Sequence, residues 1–280
     1  METNSDEVLS KTLITGGNGT VASYVDFGTK VTRSDFDITN LGQVLEFVKK
    51  IQPKLILHLA AETDLARCEN DSAHAYLVNE VGTYNIATAG QMVGAKIVYV
   101  STDAVFPNSV TAHSLDDRPG PESIYGHSKY LGELAVKGLS DNFILARTSW
   151  VFGGGSKLDK KFVAKFIGQI DSPELKGVND QFSSPTFARD LVDALKQLIL
   201  EDSKGTFHAV NSGGPASRYD MAKVIAGSLS KKVKILPVSA SVFGLLPYQQ
   251  SSGGLVGNLN MRLWQDALRD YIQAEWVSIL

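Results

Sequence analysis

Apolar runs alternate with helical periodicities along the first half of this chain. Thr12-Leu13-Ile14-Thr15 reads as a short strand, as do Leu55-Ile56-Leu57-His58-Leu59-Ala60-Ala61 and Ile97-Val98-Tyr99-Val100, the last closed by the polar Ser101-Thr102-Asp103. Phe143-Ile144-Leu145-Ala146-Arg147 is a fourth. Continuous apolar runs, without alternation, are the pattern of parallel strands covered on both faces. Between them lie helical patterns: Leu41, Val44, Leu45 and Val48 before Pro53; Ala75, Val78, Asn79, Gly82 and Ile86 within Ser72–Gly94; and Tyr130, Leu131, Leu134 and Ala135. The alternation predicts an α/β fold of the Rossmann type, a doubly wound parallel sheet. Beyond Phe152 the pattern is less regular. It gives helices at Lys161–Ile170, Phe187–Leu200 and after Ser217, strands at Thr206–Val210 and Val233–Leu236, and a last helix with Leu263, Ala267, Leu268, Tyr271 and Ile272 on one face. Residues 1–152 are therefore expected to form the domain built on this sheet. Residues 153–280 are expected to form a smaller mixed α/β substrate lobe, interleaved with the first and without a clean linker. The Gly- and Ser-rich stretch Val238–Leu259 reads as a mobile loop.

Three local patterns carry chemistry. Directly after the first strand comes Gly16-Gly17-Asn18-Gly19-Thr20-Val21-Ala22, at the position where glycines let backbone N–H groups approach a pyrophosphate. The helix from Thr20 has room for barely two turns before Phe27-Gly28, so the second strand is expected at Lys30-Val31-Thr32-Arg33. Arg33 at its tip is either a solvated surface arginine or a partner for the 2′-phosphate of NADP; Asp35 is near enough to compete for it. Finally, Tyr125 and Lys129 stand four residues apart at a helix head, on one face, with Thr102 at the carboxyl end of the preceding strand. A hydroxyl, a phenol and an ammonium around one crevice can move a proton onto a carbonyl oxygen. Other polar positions have plainer readings beside the functional ones. His58 falls within an apolar run and reads as a hydrogen-bonded core histidine; Asn79 is either a satisfied core amide or a cofactor-facing one.

Composition narrows the class. With 43% hydrophobic and 20% charged residues and a formal net charge of -3, the chain suits a large globular core and offers no basic footprint for nucleic acid or a membrane surface. One cysteine, Cys68, leaves no internal disulfide and no cysteine metal cluster. No apolar run approaches the roughly 20 residues of a membrane span, and the acidic N-terminus lacks a signal pattern. These points make the cytoplasm the expected compartment, and no metal is expected. A homodimer is the expected assembly.

Taken together, the motifs resemble the extended short-chain dehydrogenase/reductases, in particular their dTDP-4-dehydrorhamnose reductase branch. The likeness runs through the glycine loop Ile14–Val21, the Asp35–Thr39 segment, Leu59-Ala60-Ala61-Glu62-Thr63 to Glu69 with Val78-Asn79, and Val100–Phe106. It continues through Tyr125–Lys129, Arg147–Val151 and Asn179–Thr186. The resemblance implies a catalytic trio of Thr102, Tyr125 and Lys129. NADP, or NAD, would be held by Gly16, Asn18, Gly19, Thr20 and Val21 at the pyrophosphate and by Arg33, Asp37 and Ile38 at the adenosine. Leu59, Ala60, Ala61, Thr63, Asn79 and Ser101 would follow along its nicotinamide side, and Asp103, Trp150, Asn179 and Gln181 would meet a nucleotide-linked sugar. The implied reaction is hydride transfer to the 4-keto group of a deoxysugar, a step of dTDP-rhamnose biosynthesis. Three departures stand out: Ala104 in place of the usual tyrosine, Ser183 in place of a glycine, and Gln249-Gln250-Ser251-Ser252 where the family carries an Arg-Pro pair. Two other readings stay open. One is a sugar-nucleotide epimerase, which can reuse the tyrosine; Ala104 carries no proton and speaks against a 4,6-dehydratase. The other is a nucleotide-binding regulatory subunit resembling the β-subunit of methionine adenosyltransferases.

Overall fold

The computed structural model describes residues 4–244 and 253–279. In chain order the first half gives α1 (Asn4–Ser10), β1 (Thr12–Thr15), β2 (Thr29–Lys30), α2 (Leu41–Ile51), β3 (Leu55–His58), α3 (Leu65–Asn70), α4 (Ser72–Tyr76), α5 (Gly82–Val93), β4 (Lys96–Thr102), α6 (Ile124–Leu139) and β5 (Phe143–Thr148). The second half adds β6 (Val151–Phe152), α7 (Gly155–Leu158), α8 (Phe162–Ile167), β7 (Glu174–Val178), β8 (Phe182–Ser183), β9 (Thr186–Phe187), α9 (Ala188–Leu200), β10 (Gly205–His208), β11 (Ala216–Ser217), α10 (Arg218–Ser228), β12 (Lys234–Val238) and α11 (Trp264–Glu275).

Six strands form the central sheet in the order β10-β5-β4-β3-β1-β2, and every neighbouring pair is parallel. The order reverses at β1, between β3 and β2, which puts a crevice over the carboxyl ends of β1 and β3. The four residues each of β1 and β3 are all buried, as their unbroken apolar runs require. One face of the sheet packs Leu13, Ile56, Ile97 and Leu145 on Val44 and Val48 of α2, Ile86 of α5 and Val136 of α6. The other packs Ile14, Leu57, Val98 and Ile144 on Leu191, Val192 and Leu195 of α9. Residues 188–208 thus return from the second half to complete the sheet and cover its second face. A further core under β7 and α8 joins α10 to α11 through Ile225, Ala267, Leu268 and Tyr271.

Local structure departs from expectation at four places. The helix after the glycine loop shrinks to one 3-10 turn, Ala22–Tyr24, and β2 is only Thr29–Lys30, so Arg33 lies beyond the strand and not at its tip. Both β2 residues are exposed, which explains why no apolar signal marks this edge strand. The long helix expected from Ser72 is interrupted by a π turn, Leu77–Val81, before α5 ends on Gly94 in the left-handed region. Leu263 caps α11 and is exposed rather than buried. Within the stretch expected to be a mobile loop, Gly253 to Leu255 are buried, and the His113 N–H donates to the Gly254 carbonyl at 2.9 Å. Gln249 to Ser252, where the Arg-Pro pair is absent, lie outside the described residues.

Candidate active site

A crevice of about 710 Å³ opens over the carboxyl ends of β1, β3 and β4 and runs toward α8 and α10. Gly16, Gly19, Thr20 and Val21 form its floor at one end. Gly16 has φ of +71°, and a Cβ there would sit 2.8 Å from the Ala60 nitrogen, so only glycine lets the loop close against the end of β3. Gly17 N–H donates to Val31 and Gly19 N–H to Gly16, whereas the N–H groups of Thr20 and Val21 make no hydrogen bond among the described residues. Two unspent backbone donors above a glycine turn are an anion cradle, and the dinucleotide pyrophosphate fits it.

The Thr-Tyr-Lys trio is assembled at the middle of the crevice. Ser123 caps α6, its hydroxyl accepting from Gly126 N–H at 3.0 Å, while the Ile124 N–H donates to Glu69 at 2.8 Å. Gly126 is forced: a Cβ would lie 2.0 Å from the Ala104 carbonyl oxygen. That close approach brings the first turn of α6, and Tyr125 with it, against the Thr102–Ala104 turn. Thr102 Oγ1 accepts from the Ala104 N–H at 3.1 Å and donates to Asp103 Oδ1 at 3.2 Å. Burial pushes the Tyr125 phenol well above its ordinary pKa, against a weaker pull from the Thr102 hydroxyl. Lys129 is 3% exposed; burial lowers its pKa to about 7, against the attraction of Glu133. Its Nζ donates to the Val100 carbonyl at 2.8 Å and lies 4.1 Å from the centroid of the Tyr99 ring. The expected lowering of Tyr125 by Lys129 does not appear here: desolvation dominates both groups, depressing the ammonium and raising the phenol.

Buried groups beneath the crevice fix these positions. His58 is the core histidine expected: Nδ1 pairs with Thr15 Oγ1 at 2.7 Å and Nε2 with Thr83 Oγ1 at 3.1 Å. Since the Thr83 hydroxyl already donates to the Asn79 carbonyl, Nε2 is assigned the proton. Burial and the Lys129 charge lower His58 to about 3, so it stays neutral. Asn79, in the π turn, is fully buried; Oδ1 accepts from Glu62 N–H at 2.8 Å, and Nδ2 donates to the Glu62 carbonyl and to Ser128 Oγ, each at 3.0 Å. Its donors and acceptor are spent on the chain, so it holds the Glu62 turn and α6 together instead of facing a cofactor. Glu133 and Arg147 form a bidentate ion pair below Ser101, Nε to Oε1 at 2.9 Å and Nη2 to Oε2 at 2.7 Å.

The remaining expected residues divide. Leu59, Ala61, Thr63, Ser101, Asp103, Trp150 and Gln181 line the crevice. Asn18, Ala60, Arg33, Asp37, Ile38 and Asn179 do not. Arg33 is strongly exposed and pairs with Asp37 at 3.1 Å; Asp35 instead accepts from Thr32 N–H at 2.8 Å. The Ile38 carbonyl accepts from Asn85, and Asn179 is exposed, its N–H spent on the Val238 carbonyl. Asp103 Oδ2 accepts from Ser149 Oγ at 2.5 Å and from Ser183 Oγ at 2.6 Å, so the serine that replaces a family glycine seats this carboxylate. Trp150 holds φ at +36°, a conformation costly for a bulky residue, and thereby places its indole on the crevice wall. Lys161, Phe162 and Arg218 complete that wall and were not singled out from the sequence. One signal was present: an arginine directly after the Ser217 cap opposes the helix dipole, an arrangement that calls for a local reason.

A parallel sheet with its glycine cradle at the switch point and a Thr-Tyr-Lys trio beside it defines a Rossmann-type oxidoreductase of the extended short-chain class. The model of the RmlD substrate binding domain matches residues 10–249, and the chain belongs to that family. A spore coat polysaccharide biosynthesis protein, SpsK, of Bacillus subtilis is 30% identical, over 95% of this chain and 98% of its own. A dTDP-4-dehydrorhamnose reductase of Mycolicibacterium smegmatis is 31% identical over 96% and 87%. The crystal structure of the dTDP-4-dehydrorhamnose reductase of Bacillus anthracis in complex with NADP superposes with a TM-score of 0.85 at 34% identity, covering 94% of this chain and 98% of that one.

Proposed function

We propose that this protein is an NADPH-dependent reductase that transfers hydride to the 4-keto group of a nucleotide-linked deoxysugar, as the names of its relatives suggest. The observation that carries the reading is the Thr102, Tyr125 and Lys129 trio beside the glycine cradle in one crevice. Residues 1–152 would hold the dinucleotide, and residues 153–280 would supply the sugar side through Trp150's neighbours and Gln181. Bound in the crevice, NADPH supplies the hydride. The chain's own part is to hold the carbonyl oxygen by the Thr102 hydroxyl and to deliver a proton from the Tyr125 phenol. Burial keeps that phenol protonated at neutral pH, the state a donor needs for reduction. Lys129, when charged, stabilises the phenolate left behind and draws its pKa back toward the working range.

Ala104 does not weaken this reading: its side chain carries no proton, and what the site takes from the residue is its backbone, the N–H to Thr102 and the carbonyl facing Gly126. The cytoplasm fits a chain whose described helices include none long and apolar enough to cross a membrane. Leu77, Val81 and Tyr84 are exposed at helical spacing on the π turn and α5, both of which pack on α6, where Leu134 is also exposed, and these positions support a homodimer. The test is to mix the protein with NADPH and a dTDP-4-keto-6-deoxy sugar and follow the absorbance of the reduced cofactor. Substrate-dependent loss of absorbance is expected; none at saturating substrate and cofactor would overturn the reading.

A further inference from the structure

The α8–α10 end of the crevice carries a cation that forms no ion pair among the described residues. Arg218 opens α10, and its guanidinium carbon lies 3.6 Å from the Trp150 ring centroid and 4.8 Å from that of Phe162. Among the described residues its guanidinium donates from Nη1 to Met221 Sδ at 3.5 Å and makes no ion pair. Asp103 and Asp159 are the opposing charges it feels, and both are engaged elsewhere. Asp103 takes Thr102, Ser149 and Ser183; Asp159 accepts from the Lys161 N–H at 2.9 Å and the Tyr271 hydroxyl at 3.0 Å. Lys161 lines the same stretch of crevice, close enough that the two cations oppose each other's charge.

Arg218 at the first position of α10 opposes that helix's dipole and repels Lys161, the residue before α8, and an anion seated between the two offsets both unfavourable terms. Contact with the Trp150 and Phe162 rings holds the guanidinium at the crevice wall, and its N–H groups offer the fork that matches phosphate oxygens. We infer that Arg218, backed by Lys161, receives the diphosphate bridge of the substrate, an inference that rests on reading the crevice as a nucleotide-sugar site. Arg218 then selects a sugar carried on a nucleoside diphosphate over the free keto sugar. Trp150 acts as its positioning residue, which gives the strained φ a purpose.

The test is calorimetric titration of the NADP-loaded protein with dTDP, and in parallel with thymidine, for wild type, Arg218→Gln and Lys161→Gln. Arg218→Gln should weaken dTDP about 10- to 100-fold, the loss of a charge-assisted hydrogen-bond pair, and leave thymidine and NADP affinities unchanged. Lys161→Gln should weaken dTDP a few-fold, and Arg218→Lys should restore part of the loss. In turnover the Arg218→Gln defect should fall on KM with kcat within about threefold of wild type. The unchanged NADP affinity checks the fold of each variant. Equal dTDP affinity in wild type and Arg218→Gln overturns the inference and leaves the reductase reading intact, as does a wild type that oxidises NADPH but binds no dTDP. Conversely, Arg218-dependent dTDP binding without NADPH oxidation upholds the inference while the reductase reading fails.

Discussion

Arg147→Met is the substitution with the most sharply defined cost. Arg147 and Glu133 are 3% and 0% exposed, and the two hydrogen bonds between them join β5 to α6 directly under the Thr102 end of β4. Methionine keeps the stem volume and removes the charge. Among the described residues Glu133 would keep the Ser101 hydroxyl at 2.7 Å and Lys137 at 3.9 Å, too little to replace a bidentate guanidinium. Stripping one partner from a buried pair costs about 3–5 kcal/mol, and the residual contacts point to the lower end, about 3 kcal/mol. At roughly 2–4 °C per kcal/mol for a chain of this size, the melting temperature should fall by about 6–12 °C. Thermal and urea unfolding followed by circular dichroism would measure it, in a cycle with Glu133→Gln. Adding Glu133→Gln to Arg147→Met should recover at least half of the loss, since it removes the stranded charge. A loss under about 1 kcal/mol, or a double variant less stable than Arg147→Met alone, would refute the reasoning.

Tyr125→Phe should lower turnover by about 10²–10⁴-fold while the dissociation constant for NADPH stays within a factor of two; wild-type turnover would sink the proton-donor role. Lys129 predicts a pH effect on cofactor binding. Its folded pKa is depressed to about 7, so below pH 7 the ammonium is already present, whereas above it binding of the anionic dinucleotide must recharge the amine. NADP affinity should therefore fall as pH rises past 7, with up to one proton taken up at pH 8.5 and almost none at pH 6. Calorimetry in buffers of different ionisation heat reads this directly, and Lys129→Met should abolish the uptake. Arg33, exposed and already paired with Asp37, should favour NADPH over NADH only about fivefold, near 1 kcal/mol. Arg33→Ala should bring the two dissociation constants together, and an unchanged ratio would make Arg33 a surface residue only.

Positions buried on both sides were readable from the sequence. β1, β3, β4 and β5 stand where their apolar runs lie, and Thr102, Tyr125 and Lys129 meet as strand end and helix spacing require. What escaped was set by contacts distant in the chain or by backbone geometry. β2 is an exposed edge with no apolar mark, so it was placed too late. The π turn changes hydrogen-bond register without changing composition, and it turned Asn79 inward to the Glu62 loop. Ser183 was visible as a departure from glycine, yet its bond to Asp103 spans the fold. Arg218 lay in the irregular half, where nothing in the neighbouring residues says that Trp150 and Phe162 come to meet it.

The return of α9 and β10 to the sheet has a consequence for biogenesis. On the ribosome β1 and β3 emerge early, but the face carrying Ile14, Leu55 and Leu57 stays wet until Leu191, Val192, Leu195 and Ala209 have been made. At roughly 5–20 residues per second that interval lasts about seven to thirty seconds, long enough for a nascent chain to meet holdase chaperones or another chain. A truncated product ending near Phe152 would present that open face permanently, along with an unpaired edge on β5 that β10 should cover. The protein is therefore most exposed to aggregation and proteolysis while it is being synthesised, before the segment that seals it has left the exit tunnel.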